Sequence, residues 1–460
     1  MSLVPPGTGK AWSESVPEPG HLESVAGLSC GVLAGRTRTM LTRYSVLAWL
    51  VTAPVLWAQD APPPVLGPTD VIAPFPRSPL SGRAVLSSTR TEILREQNGS
   101  SVTVISGEQL RSSGRPLLHD ALRGTPGLDV VRAGSPGQQT SVFIRGTESR
   151  HTKVLLDGIP LNDPITGEAD LSSVSAQSLM SATVLPGALS ARFGPRAAAG
   201  VILLESSADS DPWYLSAWAG SLGQLGLDVG GGRALWHGRW VGRVERRGLD
   251  GGFGFTIPAE AGGGEIYRRN ADLMSWSAST GWSGPLGQGE LSATGGIETL
   301  ERGLPGRSFA PSPDARQDLG RIRTSVGWNV GDSGGRSLSA RGFATRQTTR
   351  FQDSDPPFGL AYDDRTVLGA FGASVDGEIP GIGVLRALSG GVDVDVQSVE
   401  SDALTSGAPP RRTDLGLRAS GTWSPTAGAW SVSTSIRGHW VGRTDRWHAS
   451  HEFALNLPLG

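Results

Sequence analysis

Four aspartates in the second half of the chain, Asp353, Asp355, Asp363 and Asp364, fall close enough together to offer carboxylate oxygens to one cation. Hard oxygen donors on a loop suit calcium, so these four are the metal candidates of the sequence. His448 and His451 look like a second metal pair. On a strand, however, residues an odd number apart point to opposite faces and cannot share an ion. No nucleophile motif, phosphate-cradling loop or zinc-ligand spacing occurs elsewhere in the chain. The expected chemistry is therefore binding without catalysis, with no resident cofactor. The formal net charge of −2 argues against a nucleic-acid partner, and one cysteine, Cys30, excludes a disulfide framework.

The elements that must hold such binding groups follow from composition and periodicity. With Gly 65, Pro 32, 14 Trp and only 18% charged residues, the chain reads as many short strands joined by tight turns. Met40 and Arg43 precede the apolar run Tyr44 to Trp57 and then Ala58-Gln59-Asp60, the pattern of an export signal, so residues 1–58 are expected to be an N-terminal extension and signal peptide with its true start at Met40. Residues 59–99, proline-rich and without apolar periodicity, are expected to be an extended tether. Residues 100–207 alternate short strands with helical faces. Ser106 and Gln109 have capping-box spacing, Leu117, Leu118, Ala121 and Leu122 share a helical face, and Gly124-Thr125-Pro126-Gly127 stops it. A small α+β domain is expected there.

From residue 208 to 460 the period changes to two. Ile322, Thr324, Val326, Trp328 and Val330 share one face, with Arg321, Arg323, Ser325 and Asn329 on the other. Alternation alone does not separate a soluble sandwich from a membrane wall. Tryptophan placement does more, because 11 of the 14 Trp follow residue 207. In the run Trp430 to Trp440 two Trp on one face bracket Val432 and Ile436, which at ~3.3 Å per residue and ~40° of tilt spans roughly 25 Å, the height between two aromatic girdles. About 12 such strands are expected, forming an antiparallel transmembrane β-barrel.

Four blocks between Val102 and Ser206 carry a resemblance: Leu122-Arg123-Gly124-Thr125-Pro126-Gly127-Leu128-Asp129-Val130, Val142-Phe143-Ile144-Arg145-Gly146-Thr147-Glu148, Val154-Leu155-Leu156-Asp157-Gly158-Ile159-Pro160-Leu161-Asn162-Asp163, and Ala191-Arg192-Phe193-Gly194-Pro195-Arg196-Ala197-Ala198-Ala199-Gly200-Val201-Ile202. In order and spacing they resemble the plug of TonB-dependent outer-membrane receptors, most of all the vitamin B12 receptor branch. The resemblance implies an α+β plug inside a barrel of some 22 strands, of which this chain supplies an incomplete set. It implies a transporter in the Gram-negative outer membrane, in contact with its lipid, that takes up cobalamin or a ferric siderophore. Its partner would be TonB with the inner-membrane energising complex.

By the same resemblance Arg145, Asp157 and Arg192 are plug–barrel contacts, with Gly146, Gly158 and Gly194 serving turns, and the loop bearing Asn162, Asp163, Thr166, Glu168 and Asp170 is the substrate apex. The extended box that pairs with TonB is placed at Thr69, Asp70, Val71, Ile72 and Ala73, the β-branched run of the tether. Where the family has Arg-Gly-Pro at a strand end, this chain has Leu185-Pro186-Gly187, so that ion pair does not carry over. A truncated, non-transporting receptor and a passive outer-membrane pore fit the same residues.

Overall fold

The computed structural model describes residues 83–84, 93–94, 102–112, 117–134, 137–206, 213–257, 263–307, 310–402, 410–425, 430–442 and 444–457. The proposed signal, the TonB-pairing box Thr69 to Ala73 and the rest of the proposed tether other than residues 83–84 and 93–94 lie outside them. Two short strands, β1 (Arg83–Ala84) and β2 (Ile93–Leu94), pair with each other.

The first large unit is built from β3 (Thr103–Ser106), β4 (Leu128–Arg132), β5 (Thr140–Ile144), β6 (Thr152–Leu156), β7 (Ile159–Pro160), β8 (Leu179–Pro186) and β9 (Gly200–Ser206). Five of them make a mixed sheet in the order β3-β8-β9-β6-β7, with β6 and β9 parallel, while β4 and β5 form a separate hairpin. The helix Gly107–Ser112 starts where the spacing requires. Ser106 N–H donates to Gln109 Oε1 at 3.0 Å and Gln109 N–H donates to Ser106 Oγ at 3.3 Å, the reciprocal capping box. Leu118 and Leu122, on the helix Leu118–Leu122, are buried in one core with Ile144, Val154, Leu171 and Ile202. Leu155, Leu185, Phe193, Val201 and Leu203 fill a second core on the opposite face of the sheet, as alternation along β6 and β9 demands.

The second unit is an antiparallel sheet of 12 strands in sequence order. Its members are β10 (Tyr214–Gly220), β11 (Gln224–Leu235), β12 (Gly238–Leu249), β15 (Leu273–Leu286), β16 (Gly289–Gly303), β19 (Arg316–Gly331), β20 (Ser337–Asp353), β21 (Tyr362–Pro380), β22 (Leu385–Ser401), β23 (Arg411–Trp423), β24 (Ser431–Val441) and β25 (Arg446–Asn456). Two small hairpins, β13 (Phe253–Thr256) with β14 (Glu265–Arg268) and β17 (Gly306–Arg307) with β18 (Ala310–Pro311), elaborate the connections after β12 and β16. One rim of the sheet therefore carries short turns, at residues 236–237, 287–288 and 332–336. The other carries long loops, at 250–272, 304–315 and 354–361. Within the described residues β10 and β25 each pair with one neighbour only.

The sheet is apolar on the outside and charged on the inside. On β19, Ile322 and Val326 are 54% and 51% exposed whereas Arg321 and Ser325 are 6% and 8% exposed. Val375, Val392, Leu417 and Ile436 are exposed in the same way, next to buried Asp376, Asp393 and Arg437. In water this arrangement would leave the apolar face unburied at about 25 cal/mol per Å². Against hydrocarbon it is the stable one, which separates a transmembrane wall from a soluble sandwich. Placing Arg at Val326 should cost about 2–4 kcal/mol of stability in lipid vesicles, read as a lower urea midpoint, whereas Ser333→Arg in the turn at the short rim should leave the midpoint unchanged.

Candidate functional site

The inner face of the sheet neutralises its own charges across strands. Arg418 Nη1 donates to Asp393 Oδ1 at 2.6 Å and its Nη2 pairs with Asp376, while Arg437 holds both oxygens of Asp393 at 2.9 and 2.6 Å. Arg321 lies 3.2 Å from Glu298, and Arg243 lies 2.7 Å from Asp228. Such pairs survive burial only where hydrogen bonds satisfy their remaining donors and acceptors. The α+β unit supplies some of those partners.

Arg302, near the long-loop end of β16 and 3% exposed, is the fullest example. Its Nη1 donates to the Gly137 carbonyl at 3.0 Å and to Ser172 Oγ at 2.9 Å, its Nη2 to Asp170 Oδ2 at 3.0 Å, and its Nε to Gln317 Oε1 at 2.8 Å. Asp170 is held in turn by the N–H groups of Thr140 and Ser172, at 3.0 and 2.9 Å. Burial pushes the Asp170 carboxyl up, but the Arg302 charge and those N–H donors outweigh it and leave it below the usual carboxylate range. Around this centre Gln138 Nε2 donates to the Gly303 carbonyl at 2.7 Å, Arg247 Nη2 to the Ser173 carbonyl at 2.7 Å, and Arg243 to the Gln177 carbonyl. On the far side Arg192 Nε lies 3.6 Å from Glu452 of β25. Gly194, at φ +77°, lets the Arg437 guanidinium approach where a Cβ would sit 3.1 Å from it.

Arg192, a plug–barrel contact by resemblance, thus lies against the wall. Arg145 instead lies exposed on a turn at φ +52°, its N–H bonded to the Gly127 carbonyl, and makes no ion pair among the described residues. Asp157 Oδ1 accepts from Ser206 N–H at 2.8 Å, closing β6 onto the end of β9. The loop from Asn162 to Asp170 is mostly self-supporting. Asn162 is buried and bonds the backbone of Val154, Thr152 and Gly167. Asp163 accepts from the N–H of Ile165 and Thr166, Thr166 Oγ1 accepts from Glu168 N–H, and Glu168 accepts from Gln139 and Ser141.

The calcium expectation for Asp353, Asp355, Asp363 and Asp364 is not met. Asp353 is buried and accepts from Ser312 Oγ, Asp363 is gripped by Arg350, and the Asp364 oxygens accept from Thr366 and Ser401. Asp363 and Asp364 are neighbours on β21 and so point to opposite faces. Among the described residues no group of three His, Cys, Asp or Glu side chains is placed to hold a metal.

Comparison with known proteins gives this geometry a family. Residues 95–201 match the model of the TonB-dependent receptor plug domain. That segment is similar to the plug of TonB-dependent receptors. The fold of plug and wall together is similar to that of the siderophore receptor PiuA from Acinetobacter baumannii, at TM-score 0.59 and 12% identity over 81% of this chain and 63% of that one. It is similar also to the copper transporter OprC, at TM-score 0.59 and 15% identity over 76% and 58%. A variant of the ferric enterobactin receptor PfeA from Pseudomonas aeruginosa, in complex with enterobactin, matches at TM-score 0.60 and 15% identity over 78% and 60%. The chain therefore spans about three fifths of the length of these structures.

Two predictions follow from the way the wall grips the plug. Arg302→Met strands a buried carboxylate and should loosen the plug by about 3 kcal/mol, read as faster hydrogen exchange at Thr140 and Ser172. Asp170→Asn, which turns one of the two acceptor oxygens into an NH2 donor facing other donors and leaves the Arg302 charge unpaired, should loosen it by a similar amount. Acid should loosen the plug in two steps. His119 is fully buried beside Arg132, and burial lowers its pKa to about 4. Because the unfolded chain binds that proton at about 6.5, stability is complete above that pH, falls by about 3 kcal/mol as pH drops towards 4, and is flat below. Asp170, its pKa depressed, adds a second loss below the usual carboxylate range. His119→Asn should flatten the first step in a urea titration against pH and leave the second.

Proposed function

We propose that this protein is an outer-membrane receptor that takes up a metal chelate, a ferric siderophore in the first instance, using energy delivered through TonB. The observation that carries the reading is the inverted wall, lipid-facing outside and charged inside, whose inner arginines hold a plug by its backbone carbonyls and by Asp170. A wall of that kind belongs in a bilayer. Short turns lie on the periplasmic side of such walls. On this reading the Arg302 cluster and the loop from Asn162 to Asp170 face the cell exterior, where cargo arrives.

On this reading Asp163, Thr166 and Glu168 meet cargo at the apex, while Asn162 and Asp170 hold the loop that presents them. Arg192 and Asp157 fix the plug to the wall and to itself. The siderophore and copper-transporter neighbours support a metal-bearing cargo. No observation of comparable weight favours cobalamin. Thr69 to Ala73 would add as a strand to TonB, which requires main-chain pairing more than particular side chains.

Deleting residues 69–73 and assaying labelled ferric siderophores and labelled cobalamin in a receptor-deficient strain tests this directly. Binding to cells should persist and energised uptake should vanish. Uptake that survives the deletion would contradict the assignment of the box.

A further inference from the structure

The plug and wall meet tightly near the long-loop rim and part towards the short-turn rim. There a cavity of about 180 Å³ lies between the plug, at Asp157, Ser178, Met180 and Glu205, and the inner faces of β12, β15, β16, β19 and β20. A second, smaller cavity lies beside Gly158 and Lys153, and Arg341 lines both. Arg341 crosses between them directly over Gly158. A Cβ at that glycine, itself at φ +80°, would come within 3.0 Å of Arg341 Cδ and Nη1.

The larger chamber presents cations and hydroxyl groups. Arg239, Arg243, Arg323 and Arg341 line it, with Ser279, Ser283 and Thr294 among the hydroxyls. The acids that neutralise Arg243 and Arg323 are Asp228, Glu245 and Glu298. None of these three lines the chamber, so from each pair it is the arginine that borders the space. Arg243 Nε is in addition a buried donor with no acceptor among the described residues. The two carboxylates that do line the chamber are partly committed inside the plug, Asp157 to the Ser206 N–H and Glu205 to Ser181 Oγ at 2.9 Å.

We infer that this chamber is an anion-binding way-station on the periplasmic side of the plug, suited to a small ligand rich in carboxylate, phenolate or hydroxamate oxygens. Guanidinium groups and hydroxyls together recognise such oxygens by charge-assisted hydrogen bonds, and a cleft walled by low-dielectric protein concentrates the field of its charges. Arg341 bounds the chamber on the side of the smaller cavity and is a positioning residue for its shape. The inference deepens the transport reading and rests on it for the nature of the ligand, because a cargo moving past the plug towards the periplasm would meet these groups after leaving the apex.

The test needs neither cargo nor TonB. In the full chain with its single cysteine removed by Cys30→Ser, cysteine is introduced separately as Ser279→Cys and as Ser283→Cys, and the detergent-purified protein is treated with an anionic sulfonatoethyl or a cationic trimethylammonioethyl methanethiosulfonate. Each rate is divided by the rate of the same reagent with free mercaptoethanol. The inference predicts a normalised anion-to-cation ratio of about tenfold or more, falling towards one when Arg239→Gln and Arg323→Gln are added together. A ratio of one or less at both positions, a ratio untouched by the two glutamines, or no labelling at either cysteine would overturn it. Because labelling is independent of uptake, anion preference without energised uptake would sink the transport reading alone. Energised uptake without the preference would sink the chamber alone.

Discussion

A sheet with hydrocarbon on one side and charge on the other cannot be stable with its inner face left to itself. The side chains that make the inner face polar are mostly buried, and each buried guanidinium or carboxylate that lacks partners costs several kcal/mol. The wall of this protein meets that constraint in two ways. Within the sheet, Arg418 and Arg437 converge on Asp393, and Arg321 and Arg323 on Glu298. Between sheet and plug, Arg302, Arg247 and Arg243 reach inward to carbonyl oxygens and to Asp170. The position of the plug and the looser seam below depend on where those inward arginines fall.

The direction of the grip has a mechanical consequence. A core of leucines, such as the one around Ile144 and Ile202, resists separation in every direction. The plug–wall contact is instead a set of hydrogen bonds concentrated near one rim, with an open chamber near the other. Small displacements of the loop that carries Asp170 would remove one acceptor of Arg302 and leave its bonds to Gly137, Ser172 and, within the wall, Gln317. The loop from Asn162 to Asp170 and the wall are thus joined directly through one guanidinium.

Much of this was legible in the sequence, and the part that was not has a physical reason. The capping box at Ser106 and Gln109, the helical face of Leu118 and Leu122 and the alternation of β19 are local patterns, and local patterns fix local structure. Gly146, Gly158 and Gly194 all sit at positive φ, as their place in turns implied. The hydrogen bonds between plug and wall join residues 66 to 165 positions apart. An inward arginine on a strand reads the same whether it faces water, a carboxylate or a carbonyl. The expectation that plug arginines would reach outward therefore described Arg192 but not Arg145, and it missed Arg302 altogether. The only hint was that Asp170, set between Ala169 and Leu171, is an acid in an apolar context. The four aspartates failed as a metal site for a related reason, since nearness along a strand alternates faces and nearby basic and hydroxyl groups claimed their oxygens first.

The central claim is that the plug sits inside the wall with Arg302 between them. It is tested most directly by replacing two residues that flank this guanidinium without breaking its bond to Asp170. Ser172→Cys on the plug and Gln317→Cys on β19, in a Cys30→Ser background, are treated in native membranes with a short bismaleimide. A cross-linked species that pins residue 172 to residue 317, found by mass spectrometry after digestion, is the predicted result. Two cysteines that each react singly but never join would mean that the plug lies elsewhere, and the account of a wall that grips the plug would be wrong.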